Sequence, residues 1–67
     1  MPDRMTYVVY VQPEGKTLFV EIPHLNGGEF FNVRKESRVE PKVRATISQL
    51  TSAAPDDFDL DFRFIGF

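Results

Sequence analysis

The chain has no cysteine, no tryptophan and a single histidine, His24, among its 67 residues. Without cysteine it can form neither disulfides nor thiolate metal sites, and one histidine argues against a structural zinc site. A chain of this length buries only about 60% of the surface that its unfolded form exposes, so its hydrophobic core is marginal. We therefore expect no metal and no cofactor, and we expect added stability to come from self-association or from a protein partner.

Long apolar runs are also missing from the sequence. No segment approaches the roughly 20 apolar residues of a membrane span, and the N-terminus lacks the apolar region and cleavage site of a signal peptide. These absences predict a soluble, cytoplasmic protein without a membrane partner, in which residues 1–5 form a flexible lead. The net charge of −2 argues against general nucleic-acid binding.

One segment, residues 37–51, has the apolar spacing of an amphipathic helix. Its apolar side chains recur at every third or fourth position, which places them on one side of a helix with about 3.6 residues per turn. These residues are Val39, Val43, Ile47 and Leu50. Ser37 and Glu40 have the spacing of a capping box, in which each side chain accepts a free N–H of the first turn. Pro41 is tolerated only near a helix start, so the regular helix is predicted to begin at Glu40 or Pro41.

The rest of the chain is predicted to form strands, because β-branched and aromatic residues alternate there between turn-forming residues. The predicted strands are residues 6–12, 17–22, 29–33 and 58–64. Residues 13–16 are predicted to turn an antiparallel hairpin, and the helix is predicted to return the last strand parallel to the first sheet. The order β-β-β-α-β predicts one α+β domain over residues 1–67, with one mainly antiparallel sheet and a single helix packed on one face.

A sheet covered by one helix leaves its second face open. Strand alternation assigns side chains to the two faces, but the neighbouring Phe30 and Phe31 must face opposite sides and alternation alone does not choose between them. We place Phe31 on the open face. The predicted interface, for self-association or for a partner, is formed by Val8, Tyr10, Phe19 and Phe31. The alternative is that this face stays hydrated because of its charged residues, which are Glu21, Asp59, Asp61 and Arg63.

Three places in the sequence have residue types that could carry chemistry. Asp59 and Asp61 project from one strand face about 7 Å apart, a spacing that suits a divalent ion or acid–base work, but Arg63 would oppose a metal. His24 lies in a loop where no nucleophile is identifiable as its partner. The glycine pair at 27–28 is too short for a phosphate-binding loop. The sequence therefore predicts a protein that is not an enzyme and has no metal site.

Most of the basic residues cluster on and just before the predicted helix: Arg34, Lys35, Arg38, Lys42 and Arg44. Such a cluster can contact phosphates or an acidic partner, or it can simply be a solvated helix face. No aromatic residue interleaves it to stack on bases, which weakens the case for single-stranded nucleic acid.

The hairpin of residues 6–22 runs directly into Pro23, Leu25 and Gly27, then into a short strand and a helix that starts near Ser37. This arrangement resembles the HicB-like antitoxin domain, in which a hairpin ends in a Pro-x-Leu-x-Gly-type loop, followed by a strand and a helix with a Ser or Thr cap. The resemblance covers about residues 6–64. It implies a partial ribonuclease H-like fold without catalytic carboxylates, in a bacterial or phage toxin–antitoxin system. It also implies an oligomeric protein that binds and blocks a small toxin ribonuclease.

Many members of that family carry a C-terminal DNA-binding segment, whereas this chain stops at Phe67. We therefore expect a stand-alone module without operon repression. Two other functions stay open at this point. One is an orphan or phage-encoded small protein that binds a different host protein. The other is a nucleic-acid or phosphate binder that uses the basic helix residues.

Overall fold

The computed structural model describes residues 4–67 and has four strands and one helix in the order β-β-β-α-β. The elements are β1 Met5–Glu14, β2 Thr17–Ile22, β3 Glu29–Val33, α1 Val39–Thr51 and β4 Phe58–Phe64. The strands form one sheet in the order β3-β2-β1-β4. The β1–β2 and β2–β3 pairs are antiparallel and the β1–β4 pair is parallel. The predicted α+β fold, with a mainly antiparallel sheet and a parallel last strand, is confirmed.

The first strand begins earlier than predicted. It starts at Met5, and the guanidinium of Arg4 donates to the carbonyl oxygens of Asp56 at 2.6 Å and Phe58 at 3.1 Å. The predicted flexible lead therefore does not include Arg4 or Met5, because both are held by contacts with the other end of the chain. Its remaining residues, 1–3, lie outside the described residues.

The β1–β2 hairpin turns through two residues rather than the predicted four. Glu14 pairs with Thr17, so only Gly15 and Lys16 lie between the strands. Gly15 has a φ of 61° whereas the φ of Lys16 is not positive, which is the pattern of a type II′ turn. Pro13 is accommodated inside β1 because the ladder to β4 ends at Val11, so its missing N–H breaks no bond on that side.

The helix does not begin with the predicted capping box. Glu36–Arg38 forms a short 3₁₀ turn, α1 starts at Val39, and its N-cap residue Arg38 makes no side-chain capping bond. The 3₁₀ turn moves Ser37 away from the capping position. Glu40 instead accepts from Arg44 at 2.9 Å, one turn further along. Pro41 stands in the first turn, where its nitrogen would have no intrahelical acceptor in any case.

The hydrophobic core lies between α1 and one face of the sheet. Its fully buried members come from the helix, the two central strands and the start of β4, and they are Val9, Val11, Val20, Ile22, Val43, Ile47 and Phe58. The predicted stripe holds for the first three turns of α1, but Leu50 is 45% exposed. Ala53 packs against the core at this end of the helix, after Ser52 has turned the chain with a φ of 64°.

The two faces of the sheet differ from the prediction at one pair of residues. Val20 of the core pairs with Phe31, and Glu21 pairs with Phe30. Because paired residues of an antiparallel ladder project to the same side, Phe31 lies on the helix side, where Lys42 Nζ sits 5.4 Å from its ring centroid. The assignment of Phe31 to the open face was therefore wrong, and Phe30 takes that place.

Candidate interaction surface

We call the face of the sheet that α1 does not cover the open face. It carries a small aromatic patch. Val8, Tyr10 and Phe19 are half-buried there, and Phe30 is 67% exposed. The ring centroids of Phe19 and Phe30 lie 5.8 Å apart. Three of the four predicted interface residues therefore lie on this face, because strand alternation decides the side once the core side is known. That the face binds a partner stays a prediction.

A shallow concavity of about 260 Å³ is part of the open face. It is lined by Tyr10, Gln12, Phe19, Glu21 and Ile65. Ile65 lies beyond the predicted last strand, but its N–H donates to the Val11 carbonyl at 2.8 Å and so prolongs the β1–β4 ladder by one residue. The sequence did contain a signal for it, since Ile65 continues the alternation that puts Asp61 and Arg63 on this face.

Two charged residues of the open face, Asp61 and Arg63, are paired with each other. Arg63 donates to Asp61 Oδ2 from Nη2 at 2.8 Å and from Nε at 3.2 Å. These hydrogen bonds, helped by the charge of Arg63, lower the pKa of the Asp61 carboxyl, and Asp61 raises the pKa of Arg63 in turn. The pair is therefore charged on both sides at neutral pH and forms a polar border next to the aromatic patch.

Asp59 and Asp61, the carboxylate pair whose spacing suits a divalent ion or acid–base work, are each bound by an arginine. Asp59 Oδ1 lies 3.1 Å from Arg4 Nε, and Asp61 is bound by Arg63 as described above. A cation beside each carboxylate removes the local negative charge that a divalent ion needs. Within residues 4–67 there is no group of three or more His, Asp or Glu side chains that would hold a metal ion.

The loop that carries the family resemblance is compact. Leu25 is buried in the core, its N–H donates to the Ile22 carbonyl at 3.3 Å, and its own carbonyl accepts from Gly28 at 2.8 Å. Gly27 has a φ of 81°, which an L-residue rarely adopts. His24 is exposed on the outside of this loop. The Leu and Gly of the motif thus have structural reasons to be there, because one anchors the loop and the other lets it turn.

The five basic residues predicted as one binding face do not converge. The side chain of Arg44 points towards the start of β4. It donates from Nη1 to the Pro55 carbonyl at 2.7 Å and to the Phe58 carbonyl at 3.2 Å, and its guanidinium carbon lies 5.5 Å from the Phe58 ring centroid. Lys42 covers Phe31. Arg34, Lys35 and Arg38 are exposed, and within the described part of the chain their side chains make no hydrogen bond or ion pair.

Arg38 and Lys42 also border a shallow groove of about 360 Å³ along the outer side of α1. Its other lining residues are Pro41, Ala45, Thr46 and Gln49. This groove holds two cations and no aromatic ring, so it offers little for stacking a base. As a phosphate site it is weaker than the predicted cluster of five.

A scan against protein-family models, a search of curated proteins and a search of solved structures found no match to this chain. Among the helices that residues 4–67 form, none has the length and apolar character needed to cross a membrane.

Proposed function

We propose that this protein is a small non-catalytic binding module, similar to a HicB-type antitoxin, that occludes a partner protein and associates with itself through its sheet. The observation that supports this best is the open face, where an aromatic patch beside a shallow concavity is left uncovered by α1. Uncovered patches of this kind are typical of interfaces. The element order β-β-β-α-β and the compact loop at Leu25 and Gly27 agree with the resemblance.

A protein partner suits this face better than a small substrate does. The concavity is shallow, and the open face to which it belongs carries the Phe19–Phe30 ring pair and the charged Asp61–Arg63 pair. Aromatic centres with a polar border are typical of protein–protein interfaces. The partner that the resemblance suggests is a small basic toxin ribonuclease in the cytoplasm. The alternative is that this chain is an orphan or phage-encoded protein that binds a different host protein.

The test is affinity capture from lysate at low and at moderate salt, using the wild-type chain and the double variant Tyr10→Glu/Phe19→Lys as baits. A ribonuclease that the wild type retains at both salts and the variant loses is then purified. Added wild-type chain should block its cleavage of RNA at a one-to-one ratio, and the variant should not. A captured protein that both baits retain equally, or RNA cleavage that continues at saturating wild-type chain, would contradict the proposal.

The same experiment addresses nucleic-acid binding by the basic residues. Binding to phosphates weakens steeply with salt, whereas an apolar interface does not. Recovery of nucleic acid at low salt only, and its loss in Arg38→Glu/Lys42→Glu, would favour the alternative. Equal recovery with this variant would discard it.

A further inference from the structure

We propose that two copies of this chain pair through the outer edges of their β4 strands, antiparallel and centred on Phe62, so that two sheets become one. The inference rests on the self-association part of the proposed function and names the surface responsible. It does not depend on the identity of a partner, because it uses the edge of the sheet and leaves the aromatic patch of the open face available.

The outer edge of β4 has no neighbouring strand, and only its first residue, Phe58, has its carbonyl bound there by the side chains of Arg4 and Arg44 within the described part of the chain. β4 is the last strand in the order β3-β2-β1-β4, and no residue among 4–67 adds a strand beyond it. It is seven residues long and contains neither proline nor lysine, two residues that commonly block an edge. The opposite edge is shorter, because β3 has only five residues.

The direction of the backbone groups decides which residues of β4 can pair outwards. The N–H of Ile65 donates to Val11 of β1, so the odd-numbered residues of β4 point their backbone groups towards β1. Successive residues of a strand point to opposite sides, so Leu60, Phe62 and Phe64 direct theirs towards the free edge. The carbonyl of Phe58, another even-numbered residue, also points away from β1, because it accepts from the side chains of Arg4 and Arg44 rather than from β1.

An antiparallel pair centred on Phe62 uses these outward groups. Phe62 then stands opposite Phe62 of the second copy, and Leu60 stands opposite its Phe64, all in hydrogen-bonded positions. These side chains lie on the helix side, where Leu60 and Phe62 are only partly buried and Phe64 is 51% exposed. The pairing therefore brings together the apolar side chains that the monomer leaves uncovered.

The charges on the other side select this register. In an antiparallel pair centred on Phe62, Asp61 stands opposite Arg63 of the second copy, and Arg63 opposite its Asp61, in the closely spaced non-hydrogen-bonded positions. A centre on Asp61 or on Arg63 would instead place each of these residues opposite its own copy. A centre on Leu60 would place Asp59 opposite Asp61. A centre on Phe64 would place Arg63 opposite Ile65 and would pair no opposite charges. Like charges directly opposite destabilise a sheet, so only the Phe62 centre pairs opposite charges without placing like charges together.

The test is charge complementation between two variants, each of which should be monomeric alone. Arg63→Asp places carboxylates opposite one another across the two-fold axis, and Asp61→Arg does the same with guanidinium groups. Light scattering on a sizing column should give two 7.7-kDa chains for the wild type. It should also give at least about a tenfold weaker dimer for each variant alone, since like-charge juxtaposition is costly, and should recover a heterodimer when the two variants are mixed.

Two further variants keep the result interpretable. The double variant Asp61→Arg/Arg63→Asp restores both pairs within one sequence, so it should dimerise as the wild type does and report that these positions tolerate either charge. Asp59→Arg should not complement Arg63→Asp, because residue 59 faces residue 65 in this register. Complementation by Asp59→Arg would mean a pairing centred on Asp61 and would overturn the register.

The remaining outcomes separate this inference from the proposed function. If the wild-type chain stays monomeric at 100-fold the concentration used in the capture experiment, both self-association and the β4 pairing are overturned. Partner occlusion is tested separately by the ribonuclease assay. A wild-type dimer that the charge variants leave intact, and that Tyr10→Glu/Phe19→Lys disrupts, would overturn the β4 pairing only. Self-association would then belong to the open face.

Discussion

Arg44 shows how far a single residue can depart from the role that its charge suggests. It lies in a basic cluster of the sequence, yet it spans from Glu40 to the carbonyl oxygens of Pro55 and Phe58 and lies against the Phe58 ring. A planar guanidinium can make these contacts at once because its donors are arranged as a fixed fork. It therefore ties α1 to the start of β4 instead of facing a ligand.

Replacing Arg44 with lysine tests this structural role. Lysine keeps the charge but loses the fork, so Arg44→Lys should lower the free energy of unfolding by about 1–2 kcal/mol. The matched control is Arg38→Lys, at an exposed position on the same helix, which should change it by less than about 0.5 kcal/mol. Urea unfolding followed by circular dichroism measures both. Equal effects would show that charge alone matters at residue 44.

The Asp61 carboxylate makes the stability of the fold depend on pH in the acid range. Its pKa in the folded chain lies below the ordinary value because Arg63 hydrogen-bonds to the carboxylate. The unfolded chain therefore binds more protons in the acid range. The contribution of Asp61 to stability is present above its unfolded pKa of about 3.9 and is lost as the pH falls through the lower folded pKa.

Asp61→Asn should remove this part of the acid dependence, whereas Asp57→Asn, at an exposed position outside the strands, should leave it unchanged. Melting temperatures between about pH 5 and pH 2, at low and at high salt, provide the measurement. The difference between the variants should shrink in salt because the pair is solvent-exposed. An Asp61→Asn profile parallel to that of the wild type would contradict the coupling.

At the scale of elements, the positions of the strands and of the helix followed from the sequence because each has a distinct apolar period. β2, β3 and β4 have the predicted bounds, since turn-forming residues come before each of them. The ends of β1 and the start of α1 differed. These ends depend on contacts outside the element, such as the two-residue turn at Gly15 and the 3₁₀ turn that displaced Ser37.

Two residues of α1 test how tightly the middle and the last turn of the helix pack against the sheet. Ile47 and Leu50 belong to the same apolar stripe, but Ile47 is fully buried and Leu50 is half-exposed. Ile47→Ala should cost about 2–5 kcal/mol of unfolding free energy, as buried truncations do, whereas Leu50→Ala should cost less than about 1 kcal/mol. Chemical denaturation of both variants decides the matter. Comparable losses would mean that the last turn packs as tightly as the middle of the helix.

At the scale of the whole molecule, a 67-residue chain with a one-sided core has little stability in reserve. Six large apolar side chains stay exposed within the described residues, and they are Met5, Phe30, Leu50, Phe64, Ile65 and Phe67. Three of them belong to β4 or to the residues after it. Covering the β4 edge with a second copy would therefore add apolar burial where the monomer lacks it.

The proposed dimer makes stability depend on concentration. A species that forms only from folded chains stabilises them by mass action, so the melting temperature of the wild type should rise with protein concentration. The melting temperature of Arg63→Asp alone should rise much less over the same range, because its dimer is weaker. Calorimetry over a hundredfold concentration range measures this. A wild-type melting temperature independent of concentration would speak against any stable self-association.

By itself, the sequence determined the kinds, order and approximate bounds of the elements, because side-chain period and turn residues act locally. It also determined the open-face positions of Val8, Tyr10 and Phe19, since alternation follows from the strand. Only the tertiary structure decided between Phe30 and Phe31, because two identical neighbours carry no local preference and the register with β2 selects one. Likewise, it alone decided that Arg44 binds the chain before β4 and that this strand lies at an edge, since both depend on residues brought together from distant parts of the chain.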